Sequence, residues 1–252
     1  MDFDDKVVVV TGASGGIGRA VCRRFAAGGA RVFVHYCGSP AAADQTLSEL
    51  AGGPHRKLRA ELRDAAAVRA MIDEVVADAG RLDVLVNNAG VFELHPLTEV
   101  SYDEWQDYWN RILAINLVGA ANAAYCAARQ MIRQGGGRII NISSRGAFRG
   151  EPDSPAYGAS KAGLNAMSQS LAKALAAHGI FVYAVAPGFV ETAMARDYLT
   201  GEMAEAIRNQ SPLGRVATAE DVAYWVTCLA AEGAEFATGT IIDVNGASYL
   251  RS

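Results

Sequence analysis

Lys6-Val7-Val8-Val9-Val10-Thr11-Gly12-Ala13-Ser14-Gly15-Gly16-Ile17-Gly18 is the stretch whose reading decides the fold. The valine run shows no polar alternation, so it predicts a strand buried on both faces, as in a parallel sheet covered by helices. Glycines follow at once, and a helical pattern then runs through Ala20, Val21, Phe25 and Ala26. Such a turn lets the backbone approach a diphosphate, and the free N–H groups at the helix start receive its charge. Gly12, Gly16 and Gly18 are spaced Gly-x-x-x-Gly-x-Gly, with Ser14, Gly15 and Ile17 completing the loop. Gly12, Ser14 and Gly16 also spell Gly-x-Ser-x-Gly, the nucleophile elbow of α/β-hydrolases. Only one strand fits before residue 11 and no histidine follows His178, so a serine hydrolase is disfavoured.

Strands and helices alternate from there onward. Residues 31–35 form a second strand ending in Tyr36-Cys37-Gly38-Ser39-Pro40. A reader of free ribose hydroxyls would be an Asp or Glu about 20 residues past the glycine loop, and none stands before Asp44. Tyr36 and Ser39 are neutral, and Ser39-Pro40 reads as a helix cap whose N–H groups and hydroxyl suit a 2′-phosphate. The expected cofactor is therefore NADP(H), with NAD(H) as the alternative. Residues 57–60 give a weak third strand, 65–79 an amphipathic helix, and 82–86 a fourth strand running into Asn87-Asn88-Ala89-Gly90. Two amides there suit hydrogen bonds to neighbouring loops, and the small residues leave room for a flat ring. Ser101-Tyr102-Asp103-Glu104 resembles a capping box, and a helical pattern continues to about Gln134. Asn116 inside that helix needs polar partners if buried, and Gly119 suggests a bend.

The chemistry concentrates between Arg138 and Lys161. A short β-branched strand over 138–142 ends at Ser143-Ser144, where reactive groups sit in an open α/β sheet. A helix begins near Ala156 and carries Tyr157 and Lys161 one turn apart on a shared face. An ammonium so placed is expected to favour the phenolate and lower the phenol's pKa, with Ser144 holding a substrate oxygen beside it. Residues 181–185 and 240–244 complete the strands, and residues 189–212 read as a substrate lid. Seven alternations without linker or repeat predict one doubly wound, Rossmann-type α/β domain over 1–252, with about seven parallel strands.

The 252-residue chain is 51% hydrophobic and carries a net charge of −4, which suggests neither a nucleic-acid nor an anionic-membrane partner. Its apolar runs fall short of the roughly 20 residues of a membrane span, and its acidic N-terminus is unlike a secretory leader. The four cysteines and four histidines lack ligand spacing, so free thiols in the cytoplasm and no metal site are expected.

Taken together, these motifs resemble the short-chain dehydrogenase/reductase family over essentially the whole chain. Gly12, Gly16 and Gly18 match its cofactor loop, Asn87-Asn88-Ala89-Gly90 its structural motif, and Tyr157 and Lys161 its active pair. Ser144, 13 residues before Tyr157, stands at the catalytic-serine position, with Ser143 the weaker candidate, and Asn116 matches the fourth catalytic residue. Asn88, Ala89 and Gly90 line the cofactor in such enzymes, and Pro187-Gly188 with Val190 and Thr192 matches the segment that meets the nicotinamide carboxamide. The resemblance implies hydride transfer between nicotinamide and a carbonyl or secondary alcohol, with Tyr157 passing the proton. Lys161 would hold the ribose hydroxyls, and Asn116 a relaying water. It also implies a homotetramer paired through helix faces over 121–131 and 164–175. Reducers of 3-oxoacyl chains on acyl carrier protein are the most similar branch, with sugar and polyol dehydrogenases or a non-catalytic NADP sensor as alternatives. Arg145 and Arg149 beside the site leave an anionic substrate open.

Overall fold

Val7–Val10 (β1) contributes Val7 and Val9 to one hydrophobic layer and Val8 and Val10 to the other. Each such side chain, fully buried, is worth roughly 1.5–3 kcal/mol, so this short strand is fixed by burial on both faces rather than by its own propensity. The computed structural model describes residues 1–200 and 203–251. Around β1 it arranges Arg31–Tyr36 (β2), Arg56–Arg59 (β3), Val84–Asn87 (β4), Gly137–Ile142 (β5), Ile180–Pro187 (β6) and Ile241–Val244 (β7). All pair in parallel in the order β3-β2-β1-β4-β5-β6-β7. The order reverses between β1 and β4, and a crevice opens there at the carboxyl ends of the strands.

Gly16–Ala27 (α1), Pro40–Ser48 (α2) and Ala219–Ala230 (α10) flank the sheet on the face of Val8 and Val10. Ala65–Ala79 (α3), Ala120–Gln134 (α5) and Pro155–Leu175 (α7) flank it on the other. Their starts follow from capping. The Ser39 hydroxyl accepts from Ala42 N, the Asp64 carboxylate from Ala66 N and Ala67 N, and Ser101 and Thr218 each close a capping box. The helix expected from 101 to about 134 is continuous but not uniform. Tyr102–Leu113 (α4) passes into a π-wound turn, Ala114–Gly119, before α5. Gly119 is required there, since a Cβ would lie 2.7 Å from Leu62 O.

Tyr102–Gln134 is long and apolar enough, by length and hydropathy alone, to cross a membrane. Ala123, Ala124, Ala127 and Met131 on it are nevertheless packed into the core, as are Leu164 and Ala172 of α7. Other positions on the helix faces expected to pair between subunits stay exposed, Tyr125 among them, with Val118 and Ile132 exposed just beyond. Gly146–Arg149 (α6), Arg196–Leu199 (α8) and Met203–Arg208 (α9) are short. Residues 189–200 and 203–212 form the segment read as a lid, while Gly201 and Glu202 lie outside the described residues. All four cysteines are free thiols.

Candidate active site

One cavity of about 690 Å³ runs along the crevice from the ends of β2 and β3 to the start of α7, within the size range of ligand sites. Its floor at β1 is the glycine loop. Gly12 and Gly16 take φ of +61° and +53°, backbone open to glycine at little cost. A Cβ on Gly15 would meet nothing within 4 Å, and α1 has no side-chain cap. The first N–H groups of α1 therefore face open space, which fits a diphosphate. The cavity is lined by Gly12, Ser14, Gly15, Gly16 and Ile17, and further along by Asn88, Ala89, Gly90, Pro187, Gly188, Val190 and Thr192. This chain's residues accordingly suit a dinucleotide.

Asn88 clamps the loop. Its Nδ2 donates to Thr11 O at 2.9 Å and Gly12 O at 3.0 Å, while Thr11 Oγ1 accepts from Asn88 N and Ala89 N. His35, at the end of β2, braces it from the other side. Gly12 N donates to His35 Nδ1 at 3.0 Å, so Nε2 carries the proton and donates to Ala60 O at 3.1 Å. Gly18 lies behind the lining, where a Cβ would come within 2.6 Å of Asn88 Nδ2 and Gly12 O. Its task is close packing beneath the loop. Ser39 also lies off the lining, with its hydroxyl occupied as the α2 cap. Tyr36, Cys37 and Gly38 do line the cavity, and opposite them stand Glu61, Leu62 and Arg63 from the end of β3. Those three were not expected. The strand-end rule would have pointed to them had β3 been traced one turn further.

At the other end, β5 delivers Ser143 and Ser144 to the cavity and α7 delivers Tyr157 and Lys161. Ser143 is buried and its Oγ donates to Lys161 O, whereas Ser144 accepts from Gly146 N at 3.0 Å and hydrogen-bonds the Tyr157 phenol. Ser144 is thus the serine beside the phenol. Lys161 is only 4% exposed, and its Nζ donates to Ile142 O at 2.8 Å and lies 5.7 Å from the Tyr157 ring centre. Asn116 is buried behind the wall. Its Nδ2 donates to Val91 O and Ser160 Oγ, and its Oδ1 accepts from Val91 N at 2.8 Å. With that amide largely engaged, a water here would meet the second lone pair of Oδ1 or the main chain of the π-wound turn. His95, stacked on Tyr108, accepts from Ala156 N at 3.2 Å and steadies the start of α7.

The expected lowering of the phenol does not appear in the structure. Burial pushes Tyr157 up to about 12, opposed by the Ser144 hydrogen bond and aided by the charge of Glu151. Burial also pushes Lys161 down to about 8. Desolvation outweighs the neighbouring ammonium, so both groups lean toward their uncharged forms. Phe92 meets Tyr157 edge-on at 5.0 Å, and Tyr198 lies 6.1 Å from Phe92 and 6.0 Å from Phe189, giving the substrate end an aromatic wall.

A doubly wound sheet with a glycine loop at its switch point and a Ser–Tyr–Lys cluster at the next strand end defines a nicotinamide-dependent oxidoreductase. A family model described as enoyl-(acyl carrier protein) reductase matches residues 12–247. The chain is 41% identical over 247 residues to the 3-oxoacyl-(acyl-carrier-protein) reductase FabG of Staphylococcus aureus (strain Mu50 / ATCC 700699), covering 97% of this chain and 98% of that protein. It is 36% identical over 250 residues to the FabG of Escherichia coli (strain K12), covering 99% and 100%. A short-chain type dehydrogenase/reductase from Mycobacterium ulcerans superposes with TM-score 0.92 at 30% identity, covering 98% of this chain and 91% of that one. The chain belongs to the short-chain dehydrogenase/reductase family, and it is an oxidoreductase acting on CH–OH and C=O groups with a nicotinamide cofactor.

Proposed function

We propose that this protein is an NADPH-dependent reductase of 3-oxoacyl thioesters or small ketones, working in the cytoplasm. The observation that carries the reading is the convergence of Ser144, Tyr157 and Lys161 in the same cavity as the glycine loop. The bound nicotinamide supplies or accepts the hydride. Ser144 donates a hydrogen bond to the substrate oxygen, and Tyr157 delivers a proton to that oxygen as the adjoining carbon is reduced. Lys161 would hold the ribose hydroxyls and bias the phenol from one turn away. Asn116 keeps the loop at Val91 and the α7 residue Ser160 in register, and a water beside it relays protons outward. Residues 189–200 and 203–212 close over the substrate.

The pKa directions set the pH behaviour. A phenol held near 12 is protonated at neutrality and is ready as an acid, so reduction should be nearly flat between about pH 6 and 8. Alcohol oxidation needs the phenolate and should rise by up to roughly tenfold per pH unit. Lys161, lowered from 10.5 to about 8, sheds its charge as pH rises through about 8. Cofactor affinity should weaken there, even as the empty fold gains stability between those two values because its unfolded chain binds the extra proton. Steady-state rates in both directions across pH test this, and an oxidation rate independent of pH would remove Tyr157 from the proton path.

NADPH preference rests on the neutral Tyr36–Ser39 turn and on Arg59 and Arg63, whose charges reach Cys37 against the burial and the Glu61 charge that raise its thiol. Arg63 is shared with Glu61 at 2.8 Å, whereas Arg59 has no acidic partner among the described residues. NADPH should therefore bind at least roughly tenfold more tightly than NADH in a fluorescence titration. The reverse order would make Glu61 a reader of ribose hydroxyls. Oxidation of NADPH and NADH with acyl thioesters, ketones, sugars and polyols then fixes the substrate class, and consumption of neither cofactor would favour a sensor. The proposed assembly is a homotetramer in which Val118, Tyr125 and Ile132 are covered, which light scattering reads directly.

A further inference from the structure

Arg145 follows Ser144 directly and lines both the active cavity and a second cavity behind it. It is 4% exposed, and its guanidinium lies 5.0 Å above the Phe189 ring. Nη1 donates to Ser248 Oγ at 2.6 Å and Nη2 to Gln210 Oε1 at 2.7 Å. Both acceptors are neutral, and the remaining donors of the fork are unspent. Around it, the acids already have cations. Asp221 holds Arg215, Asp243 holds Arg251, Glu220 holds Arg23, and Glu151 lies 3.7 Å from Arg149. Burial, with the like charge of Arg149, presses Arg145 down to about 10, and the charge of Glu151 offsets this only in part. A guanidinium removed from water with only a shared carboxylate nearby is costly until an anion completes it.

We propose that Arg145 is an anion subsite of the active cavity, taking a carboxylate that the substrate carries beside its reacting carbonyl. Planar two-point pairing with a carboxylate is what a guanidinium fork does best. The ligand class is a short 3-oxo acid, bound with its ketone oxygen at Ser144 and its carboxylate at Arg145. This rests on the reading of the cavity as a carbonyl-reducing site, and within that reading it favours free 3-oxo acids over 3-oxoacyl thioesters and neutral ketones. Gln210 belongs to the segment read as a lid and Ser248 to the C-terminal tail, so an occupied Arg145 would also draw both toward the site.

The test compares acetoacetate with methyl acetoacetate, which share the ketone and differ in the charge. The wild-type kcat/KM should favour the acid by at least roughly tenfold, and Arg145→Met should shrink that ratio by about 10- to 100-fold, mostly through KM. Calorimetry with malonate gives a readout without cofactor or turnover: wild type binds, Arg145→Met does not. Ser248→Ala removes only a neutral neighbour and should keep the acid preference. If it erases the preference as fully as Arg145→Met, Arg145 is a latch and the proposal is overturned. Should the Met variant not fold, a wild-type acid-to-ester ratio near one overturns it as well. Failure to reduce any ketone would count against the proposed function, while malonate binding would still report on Arg145.

Discussion

Tyr157→Phe is expected to lower kcat by roughly 10²- to 10⁴-fold, the range of a lost general acid, with the NADPH dissociation constant changed by no more than about threefold. The substitution deletes one oxygen. The ring keeps its edge-on contact with Phe92 and its place above Lys161, so the cavity retains its shape. Single-turnover reduction of a ketone, alongside fluorescence titration of cofactor, separates chemistry from binding. A variant that turns over at more than a tenth of the wild-type rate would show that the proton comes from elsewhere. Lys161 would then be the first group to test.

Gly12→Ala should do comparable damage for a different reason. The residue sits at φ +61°, and a Cβ there would lie 2.7 Å from the Cα of Ala89. Ala89 cannot retreat, because its own N–H and the Asn88 side chain are tied to Thr11 and Gly12. Left-handed strain of about 1–2 kcal/mol adds to an overpacking cost of about 1–3 kcal/mol. At roughly 2–4 °C per kcal/mol for a chain of this size, melting should fall on the order of 5–15 °C. Loss of cofactor binding should accompany it. Gly15→Ala is the contrast, since its Cβ would enter open space and the empty protein should melt within about 1 °C of wild type. Equal melting for the two variants would mean that the loop adapts more freely than its hydrogen bonds imply.

The division between what the sequence discloses and what it hides has physical causes. The valine run and glycine loop are legible because burial on both faces and positive φ each demand particular residue types. Tyr157 and Lys161 are legible because helical spacing fixes their shared face. Asn88 is legible as a loop fastener, although its acceptors, Thr11 O and Gly12 O, appear only when the strands are assembled. The ionisation of the pair is another matter. Proximity can be read from spacing, but desolvation depends on everything packed around the pair, and here it reverses the expected direction for Tyr157. Glu61, Leu62 and Arg63 escape notice because β3 is an edge strand with a single fully buried residue, Leu58, and so little periodicity to extend. The π-wound turn around Asn116 leaves one trace in the sequence, Gly119, which marks a bend without disclosing its winding. Ser39 is read correctly as a cap, where its hydroxyl accepts from Ala42 N and so uses one of its two lone pairs.

His35 is bonded through one ring nitrogen to the glycine loop and through the other to Ala60, the residue that leads into Glu61-Leu62-Arg63. The imidazole acts as a rigid strut between the glycine loop and the 61–63 segment, both of which line the cavity. Attempts to retune nucleotide choice by redesigning residues 61–63 will therefore not be modular. A shift of the peptide at Ala60 travels through the strut to Gly12, and changes in selectivity should arrive together with changes in overall nucleotide affinity.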